Sequence, residues 1–544
     1  MLGQKDLQTK LFYRFSLEEA VPQDDFYRKL EKAVDLSWVR QRVAHRYALI
    51  GRPSIDPEVI VKIELIGYLE GITSERQLMR QIADRLSLHR YIGYDLDEEV
   101  PDHSTLSRAR DLLGRELFQE VFDLSVRLCQ AAGMVGGVHV SGDRSLVKAN
   151  ASMDSLEPRV VQQTPKEHVD QLFAENPVPR EEVKEPAEVV SLTDRPEYPT
   201  HLPVESKGGP VFQPSKGEEG VVAGQDKAED ATGTESPEDG GRKKATKGKD
   251  RLDRNNSTHV SRTDPEATIV TRPGKGTMLA YSVEYWTDSR AGVITHVDAY
   301  TGAEAEHKTV MKAVKRQREV FDLPLASLSY DKGSGRGRLY RQLQDAGIVP
   351  YIPYREQANS TSGPGLYGLE SFQFDEERNV YICPGGHELG HSHLKVRWPW
   401  ASHVWEANAK DCQACALRCK CTKGKVGRRL QVGIYQKEYE EMTARLAGPG
   451  ARLAAIARRT GPEPRFGEGK QWHGLGRAKY RGRAKVRGQA LLTAAAQNLK
   501  KYVKWVWRRG QGVGMARLTE MNGAGLPVLT PTLQHPVASA PSPC

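Results

Sequence analysis

The stretch GGVHVSGDRSLVKA, residues 136–149, is where the chain changes its period. Before it, apolar residues recur at three- and four-residue steps; inside it Val138, Val140 and Gly142 alternate with polar residues up to Asp143. Successive side chains of a strand point to opposite faces, so the alternation predicts a strand, and one that ends in a carboxylate. Order resumes near Thr268. MLAYSVEYWTD (278–288) and GVITHVDAYTG (292–302) are rich in Val, Ile, Tyr and Thr and are joined by SRA, which predicts a hairpin. A helix over 304–322, a buried strand in LPLASLSYD (323–331), a helix over 336–347 and a short strand in VPYIPY (349–354) follow. The order β-[insertion]-β-β-α-β-α-β predicts an α/β fold, a mixed sheet flanked by helices.

In the other direction, residues 1–135 read as helical. In DPEVIVKIELIGYLEGI (56–72), Val59, Ile60, Ile63, Ile66 and Leu69 keep helical spacing behind Asp56 as N-cap and Pro57 in the first turn. Ser74 opens a second helix, and Pro101 and Asp102 precede a short basic one with Arg108 and Arg110. Such a series reads equally as a helix-turn-helix DNA reader or as an all-helical packing or dimerisation domain. Between Pro158 and Pro237 stand 11 of the 31 prolines, among Glu, Lys, Ser and Gly. Residues 158–262 are therefore expected to be a disordered insertion, dividing the α/β domain into 136–157 and 263–374. A cysteine-rich segment (375–435), closing helices (436–512) and a Pro/Ala/Ser tail expected to be disordered (513–544) complete the chain.

The 544 residues carry 79 Lys+Arg against 70 Asp+Glu, a net +9 that is unevenly spread. Residues 451–510 hold 16 basic residues and two acids, Glu463 and Glu468, so this segment is +14 and the other 484 residues are −5. A block this one-sided points to a polyanion, nucleic acid first. Its last helix, roughly 483–508, sets Leu491, Leu492, Leu499 and Val503 beside Lys485, Arg487, Lys500 and Lys504, so Arg487 and its neighbours are expected on an outward face that contacts phosphates. Trp505 and Trp507 fit core packing better than base stacking. No run approaches the roughly 18 apolar residues of a membrane span, and the N-terminus mixes charges where a signal peptide has an apolar core. A soluble, unexported protein is expected.

Asp143 and Asp331 each fall at or just past a predicted strand end, where α/β sheets gather their ligands. Glu463 is a third acid, inside the basic block. Three carboxylates meeting at one point repel strongly unless cations neutralise them, and Mg²⁺ (or Mn²⁺) takes oxygen ligands of this kind. Two such ions roughly 4 Å apart support phosphodiester cleavage. The plainer reading makes Asp143 and Asp331 turn residues and has Glu463 close a capping box with Thr460 in T-G-P-E. Five of the seven cysteines form C-x28-C-x2-C-x3-C-x-C. The spacing suits structural Zn²⁺ on Cys383, Cys412, Cys415 and Cys421, with Cys419 or His387 as substitutes, against reduced, unligated thiols.

RPSIDPEVIVKIELIGYLEGITSERQL (52–78) and VPDHSTLSRARDLLG (100–114) resemble the helical N-terminal domain of one branch of the DDE transposases of bacterial insertion sequences. GDRSLVKANAS (142–152) is similar to their first-Asp segment, SRTDPEATIV and YSVEYWTDSRAGVITHVDAYTG to the strands that follow, and SLSYDKGSGRGRLYRQLQDAGIVPYIP (327–353) to the second-Asp segment. Arg459, Glu463 and Lys470 keep the intervals of the family's Y-x2-R-x3-E-x6-K signature, with Ile456 in place of its Tyr. The resemblance implies an RNase H-like catalytic domain with Asp143, Asp331 and Glu463 holding Mg²⁺ (or Mn²⁺), and Arg459 and Lys470 contacting the DNA backbone. It also implies terminal inverted repeats and target DNA as partners, a homodimer that cuts two ends together, and a bacterial cytoplasmic setting. Two other readings stay open: a catalytically inactive, transposase-derived DNA-binding protein, and a nuclease without strand transfer.

Overall fold

The computed structural model describes residues 15–159, 255–354 and 365–508, apart from 49, 52–53, 273, 275, 398–399 and 425, together with the backbone of 518–521 and 527–529. The chain divides into two compact units, Met1–Pro158 with Asn255–Cys544, and Arg159–Arg254; apart from Arg159, the described residues belong to the first. Most of the expected insertion at 158–262 thus lies outside the described residues. Its two ends are described and they pair, Leu156–Pro158 running antiparallel to His259–Ser261. In the tail, Leu518–Met521 pairs antiparallel with Pro527–Leu529.

The central sheet contains β1 (His139–Lys148), β2 (Thr268–Arg272), β3 (Gly276–Asp288), β4 (Ile294–Thr301), β5 (Ser327–Ser329) and β6 (Val349–Tyr351). β1 lies between β3, antiparallel to it, and β5, parallel to it; β6 is parallel to β5. The outer edge of β3 is shared, with β2 along 276–280 and β4 along 281–287. From Leu279 to Asp288 every residue of β3 is buried, because the sheet is covered on both faces. That explains why MLAYSVEYWTD does not alternate strictly, and why even Ser282 and Glu284 are buried.

The principal helices are α1 (Pro57–Glu70), α2 (Arg115–Ala131), α3 (Val310–Phe321), α4 (Gly337–Asp345), α5 (Gln436–Ala447), α6 (Pro449–Thr460), α7 (Pro462–Trp472) and α8 (Arg483–Arg508). α1 begins as its sequence predicts, the Asp56 carboxylate accepting a bond from the Glu58 N–H at 2.9 Å. α8 is the central rod, packed against α1, α2 and β4. Gly488 admits the Phe118 ring, which would lie 3.3 Å from a Cβ at that position. Asn498 bridges α8 to the sheet by accepting from the Ile294 N–H at 2.9 Å and donating to its carbonyl at 2.8 Å.

One apolar core runs from Ile60 and Ile63 of α1 through Phe122 of α2 and Leu491 and Leu499 of α8 to Val283 of β3. Each such side chain contributes about 1.5–3 kcal/mol on burial, so the helical N-terminal region and the sheet stabilise each other. Arg110 serves the same junction. It donates to Glu64 at 2.6 Å, pairs with Glu75 and lies 4.8 Å from the centre of the Tyr480 ring, which removes it from any DNA-reading face.

The cysteine-rich segment is a second sheet, antiparallel throughout: β7 (Gln373–Asp375), β8 (Val380–Ile382), β9 (Glu388–Arg397), β10 (Trp400–Ala407) and β11 (Arg429–Gly433), in the order β11-β10-β9-β8-β7. It has its own core of Phe372, Tyr381, Leu389, Trp405, Leu430 and Val432. Among the described residues no helix is long and apolar enough to cross a membrane.

Candidate active site

β1 pairs with β5 only through His139, Val140 and Ser141, opposite Ser327, Leu328 and Ser329, and then continues beside β3 to Lys148. Asp143 therefore stands within the strand, which corrects the expectation that the strand ends there. What ends is the parallel ladder. Because Ser141 is level with Ser329, Asp143 and Asp331 each lie two residues beyond the last parallel pair, at the fork where an α/β sheet opens to ligands.

Glu463 arrives on α7, and two anchors set that helix. Tyr285, cross-strand partner of Asp143, stacks on Phe466 with ring centroids 4.4 Å apart and planes 8° from parallel. Lys470 Nζ donates to Ser145 Oγ at 2.6 Å. Residues 463, 466 and 470 share one helix face, and Ser145 shares the face of β1 that carries Asp143. α7 thus lies along the Asp143 side of the sheet with Glu463 in its first turn. The capping box is not formed: Thr460 Oγ1 donates back to the Ile456 carbonyl at 2.9 Å, and Gly461 takes the cap position.

Arg458, at the end of α6, bridges two of the acids. Its Nη1 lies 3.3 Å from Asp331 and its Nη2 3.6 Å from Glu463. These side chains are 31, 47 and 44% exposed, so solvent limits each contact to about 1 kcal/mol or less. Burial raises the Asp143 carboxyl to about 6; Asp331 and Glu306 push in the same direction, and Arg458 and the Arg144 N–H oppose them.

Glu306 is a fourth carboxylate that sequence reasoning missed. It sits in the turn Glu306–Lys308 between β4 and α3 and accepts a bond from Ser334 Oγ at 3.1 Å. A Cβ on Gly333 would lie 3.1 Å from Glu306 Oε2 and 3.9 Å from Asp331 Oδ2, so that glycine keeps the space between them open. Its spacing carried no signal, since EAEHK reads as an ordinary helix start. On the opposite face of β1, buried Arg144 pairs with buried Glu284 at 3.1 Å and donates to the Glu304 carbonyl at 3.1 Å. This pair ties β1 to the turn that carries Glu306.

Among the described residues no group of three or more His, Cys, Asp or Glu side chains stands in a metal-binding arrangement. At the acids the cause is visible: a guanidinium occupies the space between Asp331 and Glu463. Asp143 and Asp331 lie abreast by strand register, and Arg458 links Asp331 to Glu463. Carboxylate oxygens gathered around a cation are nonetheless a donor set suited to a hard divalent ion, with Arg458 as its stand-in.

A family model described as "Transposase domain (DUF772)" matches residues 15–112, and one described as "Transposase DDE domain" matches residues 382–503. These two matches support a DDE transposase of insertion-sequence type. The second match contains Glu463, Lys470 and all five clustered cysteines; Asp143 and Asp331 lie outside both matched stretches. No curated protein matches the transposase. A solved piggyBac transposase synaptic complex with hairpin DNA is similar at 8% identity over 92% of this chain and 85% of that one, with a TM-score of 0.22.

In the transposase, the four cysteines named first for zinc are neighbours. Cys415 and Cys383 Sγ lie 3.2 and 3.7 Å from where a Cβ of Gly385 would be. Burial raises the Cys421 thiol, and Cys383, Cys412 and Cys415 raise it further. The His387 and Arg428 backbone N–H groups donate to the sulfurs of Cys383 and Cys412 at 3.4 and 3.3 Å. Cys419 is exposed. The thiols are close but not drawn into a ligand arrangement.

Arg108 and Arg459 are exposed on their helices. Arg487 is engaged, with Nε 3.0 Å from Asp298 and Nη2 donating to Gln119 at 2.5 Å, while its side chain stays 37% exposed. Lys501 donates to the carbonyls of Ala291 and Gly292, both at 2.7 Å, and burial lowers its ammonium to about 8. Trp505 and Trp507 pack against the core, with Trp505 Nε1 donating to the Ala132 carbonyl at 3.2 Å. A cleft of about 590 Å³ at the far end of β1 is lined by Lys148, Arg477 and Arg481, cations the sequence showed only as bulk charge.

Proposed function

We propose that this transposase cleaves the ends of an insertion sequence and joins them to target DNA, with Asp143, Asp331 and Glu463 as the ligands of Mg²⁺ or Mn²⁺. The observation that carries this reading is the register of β1 and β5, which sets Asp143 and Asp331 side by side while α7 brings Glu463 to the same side of the sheet. The strand order, with β3 antiparallel between β4 and β1, and β1, β5 and β6 parallel, supports an RNase H-like fold for the catalytic domain. When bound, the divalent ions supply an activated water and stabilise the leaving oxygen.

The chain's own residues do the rest. The water oxygen bonds to phosphorus as the bond to the element's 3′-oxygen breaks, giving a 3′-hydroxyl and a 5′-phosphate. That hydroxyl then attacks a target phosphodiester, whose own 3′-oxygen leaves. Lys470, held at Ser145, and exposed Arg459 and Arg108 contact the DNA backbone, and the Lys148–Arg477–Arg481 cleft extends this cationic track. Terminal inverted repeats and target DNA are the partners, and a homodimer pairs the two ends. Cys383, Cys412, Cys415 and Cys421 hold a structural Zn²⁺ that closes the second sheet; the close approach of the Cys383 and Cys415 sulfurs at Gly385 and the N–H···S bonds support that set.

The test is strand nicking on terminal-repeat DNA with Mg²⁺. Asp331→Ala should lose at least about a thousandfold in rate, as expected for a group acting on the reacting phosphate. Undiminished nicking would remove the assignment.

A further inference from the structure

We propose that Arg458, and not the Arg459 of the family signature, is the arginine that serves the acidic site: it neutralises Asp331 and Glu463 while no divalent cation is bound, and engages the substrate phosphate once those carboxylates are taken up. The inference rests on the reading of the three acids as cation ligands.

The helix break carries it. On an unbroken helix residues four apart share a face, so Arg459 would lie over Glu463, while Arg458, five residues away, would be rotated by about 140°. Here α6 ends at Thr460 and α7 starts at Pro462. Proline has no N–H to continue the ladder and is at home at the first position of a new helix. Between them Gly461 adopts φ −89°, ψ −94°. A Cβ on Gly461 would collide with Thr287 Oγ1 and lie 2.7 Å from the Ala457 carbonyl, so the break is pressed onto β3 and only glycine fits. The register is thereby reset. Arg458 reaches both acids, at 3.3 and 3.6 Å, while Arg459 is exposed.

The chemistry suits the second role. A guanidinium offers paired N–H donors in a fixed fork that matches two oxygens of a phosphate as well as it spans two carboxylates. Arg458 already stands between the two acids that would flank a reacting phosphate. A lysine there would keep the charge and lose the fork.

The experiment titrates Mn²⁺ into the DNA-free full chain by calorimetry, and measures nicking of terminal-repeat DNA at saturating Mn²⁺. Arg458→Ala should bind Mn²⁺ about three- to tenfold more tightly, because a competing cation is gone, yet nick at least about tenfold more slowly. Arg458→Gln, which keeps length and polarity, should show the same tightening, and Arg458→Lys should bind Mn²⁺ as wild type but restore little of the nicking. Arg459→Ala should leave Mn²⁺ affinity as it is. Unchanged or weakened Mn²⁺ binding in both Arg458→Ala and Arg458→Gln overturns the proposal, as does a tightening seen with Arg459→Ala instead. Asp331→Ala separates the two readings: if it binds Mn²⁺ as wild type does, the acids are not the cation ligands and the underlying function fails first.

Discussion

Asp143 is a carboxyl raised to about 6, chiefly by burial, in a site that holds Asp331 and Glu306 as well. In the unfolded chain it titrates near its ordinary value of about 3.9. The folded protein therefore binds that proton more tightly, and the stability Asp143 contributes is lost as pH rises from about 4 through about 6. Above that window the ionised form is a standing cost. Asp143→Asn should stabilise the cation-free protein by about 1–2 kcal/mol at pH 7.5, with the gain shrinking toward zero at pH 4. Urea melts of both proteins at the two pH values test this, and an equal gain at both would exclude the burial argument. At this scale the three acids stood out in the sequence as candidates, although Asp143 lies within β1 and not at its end. Glu306 and Arg458 did not, since their roles depend on which turns fold toward Asp331.

At the scale of elements, α7 decides whether Glu463 can reach the sheet. Its pattern is weak, for only Pro462, Phe466 and Gly469 are buried along it. The helix is held by the Tyr285–Phe466 stack and the Lys470–Ser145 bond. Phe466→Ala should cost about 3 kcal/mol in stability from the lost burial and cavity, and reduce nicking by more than that stability loss explains, because Glu463 loses its anchor. Phe466→Leu should recover most of the stability and only part of the rate. Equal recovery of both in chemical denaturation and nicking assays would mean that the stack supports folding alone. The hairpin β3–β4, α4 and the N-cap of α1 follow the sequence closely, since local propensity and period agree there, whereas the helix expected over 304–322 starts only at Val310, after the turn Glu306–Lys308. The prolongation of β1 past Asp143 was hidden because RSLVK keeps no clear alternation, and it is the antiparallel partner β3 that draws it on to Lys148.

At the scale of the whole molecule, the cysteine-rich segment is a five-stranded sheet with a core separate from the main one. If Zn²⁺ closes it through Cys383, Cys412, Cys415 and Cys421, elemental analysis should find one zinc per chain. Cys421→Ser should lose the metal and lower the melting temperature, whereas exposed Cys419→Ser should keep both. Retention of zinc in Cys421→Ser would exclude this ligand set. The main core, in turn, joins the helical N-terminal region to the central sheet through α8, with Arg110 at the junction instead of on a DNA-reading surface. From the sequence alone came the α/β class, the order of strands and helices, the acids, the cysteine set and the family, because period, caps and motif spacing are local properties. Tertiary structure alone decided that Asp143 and Asp331 stand abreast, that Arg458 and not Arg459 reaches Asp331 and Glu463, and that Arg487 pairs with Asp298. Those outcomes depend on strand register and on one helix break, and contacts between residues far apart in the chain set both.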